Sequence, residues 1–230
     1  MTVFSLVFVI TLQSRSRSRD FKKSIPIPIP NSQNSIPIPI PKYQSRLSPI
    51  IELVTGLLSV IVAWQLGFAL ATAAALFLTW ALVALTMIDF DHQLLPDNIT
   101  LPFLWIGLLL SLANVFADTQ ASIIGAVCGY MTLWSVYWAF KLITGKEGMG
   151  FGDFKLLALF GAWFGWQYLP VIILLSSLVG AAVGISLVLF KGKDRNIPIP
   201  FGPYLAAAGW IAMLWGDDII DAYLKFSGIT

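Results

Sequence analysis

A single cysteine, Cys128, stands in this sequence, and it lies inside an apolar run. That excludes a disulfide framework and a cysteine-based zinc site. Histidine is equally scarce: His92 is the only one. A Ser-His-acid arrangement away from it cannot be built, and a transition-metal centre lacks the ligands it needs, so neither a metal nor a cofactor is expected. Charge is short as well. Charged residues make up 11% of the chain, against about 25% in ordinary soluble domains, which excludes a water-soluble globule. Long alternation of apolar and polar residues is also missing, and with it the sequence signature of a membrane β-barrel. The net charge of +2 carries no message about partners, and no nucleic-acid partner is expected.

What the chain does have is apolar residues, 57% of the total, gathered in blocks of roughly 17–23 positions, the length of a bilayer-crossing helix. Hydrocarbon leaves a backbone no other way to satisfy its N–H and C=O groups. The expectation is an all-α, polytopic helical membrane protein with about seven transmembrane helices, at 50–68, 70–88, 98–117, 121–143, 154–167, 169–190 and 203–223. The fifth is short and rich in aromatics, and with Pro170 just beyond it could continue into the sixth as one broken helix. Gly125/Gly129, Gly161/Gly165 and Gly180/Gly184 have the small-xxx-small spacing that lets helix backbones approach. Residues 1–46 are different. A short apolar start, a cluster of Arg and Lys and two copies of IPIPIP make a low-complexity segment with no means of forming a core. The chain is therefore divided into an atypical, disordered amino-terminal segment, 1–46, and a membrane-embedded domain, 47–230.

Placing alternate loops on alternate sides puts every Lys and Arg except Lys225 on one face. By the positive-inside rule that face is cytoplasmic. Both acid clusters of the chain fall on it. Asp89-Phe90-Asp91-His92 ends the second apolar block, and Gly148-Met149-Gly150-Phe151-Gly152-Asp153 opens the fifth. Carboxylates at the edge of a membrane helix are costly and point to function. Two of them at one depth share a proton, since like charges a few Å apart cannot both ionise. Such a pair activates water with its ionised member and protonates a carbonyl with the other. Asp153 alone reads as a helix cap; Asp91 and Asp97 read as loop acids, with Asp97 capping the helix after Pro96.

The run from Leu85 to Asp97, together with Thr144 to Lys155 and its Gly150-Phe151-Gly152-Asp153, resembles the type IV prepilin peptidases, membrane aspartic proteases of the GxGD class. Pro49 to Leu53 and Pro198 to Tyr204 resemble the same family, so the likeness covers roughly residues 43–228 in order. It implies Asp89 and Asp153 as the catalytic pair. The activity it implies is endopeptidase cleavage of a prepilin or pseudopilin leader, after a glycine, on the cytoplasmic side of the bacterial inner membrane. In that reading the turn at Gly148, Gly150 and Gly152 admits the substrate backbone, and Asp91 and Asp97 hold the basic leader. Prepilins and membrane lipid are the partners expected. Family members that also N-methylate their product carry an amino-terminal helix, paired zinc-binding cysteines and a methyl-transfer motif. None is recognisable in residues 1–46, so methyl transfer is not expected. Two other readings of the same acids are a proton-coupled transporter, which would want them near the bilayer midplane, and a prepilin-binding assembly component that does not cut.

Overall fold

A computed structural model describes residues 42–145, 148–191 and 200–228. Among them lie seven α-helices and one 3₁₀ turn, and no strand: α1 Lys42–Leu66, α2 Leu70–His92, α3 Asp97–Ser111, α4 Thr119–Thr144, α5 Phe151–Phe164, α6 Leu169–Lys191 and α7 Gly202–Phe226, with the 3₁₀ turn Trp166–Tyr168 between α5 and α6. Each apolar block has become one helix, and the breaks fall at residues that leave helical geometry. Gly67, Gln93, Gly145 and Gly165 all have positive φ, the left-handed conformation that ends helices. The Gln93 N–H closes α2 on the Asp89 carbonyl at 2.8 Å. Asp118 opens α4 by accepting from the Ala121 N–H at 3.1 Å.

Among the described residues there are seven α-helices, and four stretches are long and apolar enough to cross a bilayer, Pro49–Leu66, Leu70–His92, Thr119–Thr144 and Trp166–Ser186. The seven crossings expected from the sequence are thus matched by length and composition in four helices, and the other three are shorter or broken. The 15 residues of α3 and the 14 of α5 rise only about 21–22 Å at 1.5 Å per residue, short of a hydrocarbon core of about 30 Å. The third helix outside the four, α7, is long enough but leaves helical geometry at Trp215 (φ −131°, ψ 15°) and carries Asp217, Asp218 and Asp221 beyond it. Nor do the fifth and sixth blocks join: Gly165, at φ 85° and ψ 174°, separates α5 from the turn that leads into α6.

The chain divides into two compact units at Leu58/Ser59. The expected boundary after residue 46 falls inside α1, and residues 1–41 lie outside the described residues. Both acid clusters belong to the second unit, and its core is α5. From Asp153 to Phe164 every residue but Lys155 is buried, so this helix is enclosed on all sides, as a helix apolar all round must be. Against α4 the approach is backbone to backbone: a Cβ on Gly125 or Gly161 would run into the other's carbonyl, and one on Gly129 would lie 2.7 Å from the Leu157 carbonyl oxygen. Two of the three glycine pairs thus meet each other. The third does not make such a contact at Gly180, where a Cβ would lie at ordinary distance, 3.5 Å or more, from Tyr204 and Phe201. Toward α3, the Trp163 indole fits over Gly107 and donates to the Phe103 carbonyl at 2.8 Å. Toward α7, the Phe160 ring lies against Gly209. A buried polar link ties α7 to α2, with Trp210 Nε1 donating to Thr79 Oγ1 at 3.1 Å and Thr79 Oγ1 donating to the Ala75 carbonyl at 2.7 Å. By these contacts the end of α2, the start of α5 and the start of α7 come to one end of the helix group.

Candidate active site

At that end two carboxylates are buried, Asp89 at 5% exposure and Asp153 at 6%. Asp89 sits in the last turn of α2 with Asp91. The C-terminal turn of a helix has its carbonyls pointing outward and disfavours a negative charge, by about 0.3–1 kcal/mol. Helix stability therefore does not explain Asp89. Its Oδ2 is buried without a hydrogen-bond partner among the described residues, an arrangement that folded proteins avoid unless it serves something. Asp153 stands in the first turn of α5, where Gly150 is the N-cap. The Gly150 N–H is directed back at the Asp153 carboxylate, as in half of a capping box. Capping and pairing are thus both served by one side chain.

Asp153 lies outside the four helices long enough to cross a membrane. Burial, and after it the negative charge of Asp89, push its carboxyl up to about 7, against the smaller opposing effect of the Gly150 N–H. The charge of Asp89 acts on Asp153, so the two acids lie within electrostatic reach of each other. The folded protein therefore binds this proton more tightly than the unfolded chain, where the carboxyl titrates near 3.8. Stability conferred by the protonated form is complete below pH 4 and falls as pH rises toward 7, by an amount on the order of 4 kcal/mol. Asp153→Asn removes that dependence. Detergent-solubilised Asp153→Asn should match the wild type in melting temperature near pH 4 and exceed it at pH 8; equal curves at both pH values would contradict the burial of an unpaired charge.

Each of the three glycines of the turn meets different surroundings. A Cβ on Gly148 would lie 2.8 Å from the Phe140 ring, one on Gly152 would lie 2.7 Å from Leu95 Cβ, and one on Gly150 would meet only Asp153 Oδ2 at 3.8 Å. Gly150 has φ −79°, so room rather than a left-handed backbone is what glycine supplies there. Of the two acids expected to hold a leader, Asp91 is exposed. Asp97 is the first residue of α3, behind an N-cap at Pro96 that makes no side-chain cap, and it accepts a hydrogen bond from Lys155 Nζ at 2.6 Å. Among the described residues no group of three His, Cys, Asp or Glu could hold a metal ion.

Two residues of this cluster carry no role in the sequence reading. Leu95, 8% exposed, fills the space beside both Gly152 and Gly202: a Cβ on Gly202 would come within 3.3 Å of Leu95 Cδ1 and 2.6 Å of Asp89 Oδ2. Gly202 was visible only as a member of the Pro198–Tyr204 stretch. Nothing in its local sequence says that it lies against an acid more than a hundred positions earlier.

Fold and site together define the class: a helical membrane protein with two buried aspartates from different helices at one end. Residues 76–185 match the family model described as the type IV leader peptidase family. The chain is 58% identical over 180 residues to a prepilin leader peptidase/N-methyltransferase of Pseudomonas aeruginosa, covering 78% of this chain and 62% of that one. It is 57% identical over 183 residues to the protein of the same name from Stutzerimonas stutzeri (80% and 63%), and 62% identical over 176 residues to that of Aeromonas hydrophila (76% and 61%). The chain thus spans a little over three-fifths of the length of these relatives. No solved structure matches it.

Proposed function

We propose that this chain is a membrane aspartic endopeptidase that removes the leader of type IV prepilins or pseudopilins, cutting after a glycine at the cytoplasmic face of the bacterial inner membrane. The observation that carries the proposal is the burial of Asp89 and Asp153 within electrostatic reach of each other. Asp153 holds the shared proton and Asp89 is the base. As water attacks the scissile carbonyl carbon, Asp89 takes one of its protons and Asp153 gives its own to the carbonyl oxygen, leaving a gem-diol. Return of the proton from Asp89 to the amide nitrogen, and of one gem-diol hydroxyl proton to Asp153, breaks the C–N bond and restores both acids. The reading takes up the peptidase half of the relatives' names, the half for which two buried carboxylates are the reacting groups. The cytoplasmic side rests on the Lys and Arg asymmetry.

The test is direct. Purified protein incubated with a prepilin in detergent should yield a shortened product whose new amino terminus follows the leader's glycine, identified by mass spectrometry. Absence of that product from active-site-intact protein would remove the proposal. Leader recognition is expected to lean on Asp91 rather than Asp97, because Lys155 already occupies Asp97. Asp91→Asn should raise KM for a basic leader by roughly 3–10-fold at low salt, and the effect should shrink as salt screens exposed charges. Asp97→Asn should change KM by less than about 2-fold and stability by less than about 1 kcal/mol. Equal effects of the two substitutions on KM would overturn the distinction.

A further inference from the structure

The start of α7 leaves first-turn amides without a partner inside their own helix, that of Gly202 among them. Phe201 is the N-cap, and the N–H groups of Tyr204 and Leu205 both go to the Phe201 carbonyl at 3.1 Å. Pro203 has no N–H to give. The Gly202 N–H is one of the first-turn donors that have no partner within the helix. It is directed at the Asp89 carboxylate. Gly202 is also the point of closest approach: the Asp89 Oδ2 and Cγ would lie 2.6 Å and 3.1 Å from a Cβ placed there. The φ of Gly202 is not in the left-handed region, so backbone freedom does not explain the glycine. Space for the carboxylate does.

Resting on the peptidase reading, we propose that Gly202 is a positioning residue for the reaction. Its amide, at the positive end of α7, and its missing side chain together hold Asp89 in the orientation from which it receives the proton of the attacking water. A third helix thereby contributes to a site whose two acids come from α2 and α5. The amide faces the carboxylate, and the buried Oδ2 has no hydrogen-bond partner among the described residues.

Alanine at Gly202 keeps the amide but pushes the carboxylate off it. Displacements of about 1 Å at a reacting group cost on the order of 10²-fold in rate. Gly202→Ala should therefore lower kcat for prepilin cleavage by about 10²-fold or more, with KM changed by less than about 2-fold. Gly180→Ala, a glycine with ordinary space around it, serves as the control and should keep both constants. The added methyl would also press on Leu95 Cδ1 at 3.3 Å, which offers a way to separate packing from positioning. If crowding of Leu95 were the whole effect, Gly202→Ala/Leu95→Ala would recover the kcat of Leu95→Ala alone. The positioning role requires that the double variant stay about 10²-fold below it. The double variant also has room to fold should the single one not, and a melting temperature near that of Leu95→Ala certifies it. Recovery of kcat in the double variant, or unchanged kcat in a folded Gly202→Ala, overturns the role of Gly202 and leaves the peptidase reading intact. No cleavage by wild type and Gly180→Ala alike overturns both.

Discussion

Asp153→Asn and Asp89→Asn should each abolish leader cleavage, by roughly 10²–10⁴-fold or more for the loss of a proton-transferring group, while the protein remains folded in the membrane. The fold is expected to tolerate both. Asparagine has nearly the shape of the protonated acid, and Asp153, with its carboxyl at about 7, is already half neutral at pH 7. The two losses should not add. Either member of a proton-sharing pair is useless without the other, so the double Asn variant should be no slower than the worse single one. In the wild type, cleavage should decline above about pH 7 as Asp153 loses the proton it must donate, the alkaline limb following that ionisation. Steady cleavage by either folded Asn variant, measured as product per unit time on a purified prepilin, would end the aspartyl mechanism outright.

The components of this site differ in how much the sequence shows of them. The acids were legible, because a carboxylate at the rim of an apolar block has so few bland explanations. Their partners were not. Leu95 is one leucine among many, and it matters only because two glycines, Gly152 and Gly202, make space on either side of it. Gly202 needed the fold of α7 against α2 before its distance from Asp89 could be known. The role of α5 was hidden for a related reason. Hydropathy reports transfer out of water, and a helix facing lipid and a helix enclosed by other helices are equally apolar, so nothing in the hydropathy of the run from Leu156 to Phe164 shows that it is wholly buried. Spacing of small residues was the better guide, since close backbone approach is visible in sequence when both partners contribute a glycine, as Gly125 and Gly161 do.

That contact carries the largest expected effect on stability. With no hydrophobic force to drive one helix onto another in lipid, close packing is a main source of what holds α4 to α5. At Gly125/Gly161 the space for any side chain is taken by main chain, not by a flexible tip that could swing aside. Gly161→Leu must therefore force α4 and α5 away from each other, and α5 is the centre of the core. Overpacking ordinarily costs about 1–3 kcal/mol when neighbours adjust; opposed backbones adjust least, and a loss beyond about 3 kcal/mol is expected. Gly180→Leu, facing the Tyr204 and Phe201 rings at 3.5–3.8 Å, should lose much less. Thermal unfolding in detergent, with limited proteolysis of the same samples, distinguishes the two. A melting temperature for Gly161→Leu within about 2 °C of the wild type, where 1 kcal/mol shifts a domain of this size by about 2–4 °C, would show that α4 and α5 do not pack this way. The consequence reaches the chemistry, because α5 carries Asp153 on its first turn. A helix displaced at Gly161 takes its carboxylate away from Asp89, so Gly161→Leu that still inserts in the membrane should fail to cleave even at temperatures where it stays folded.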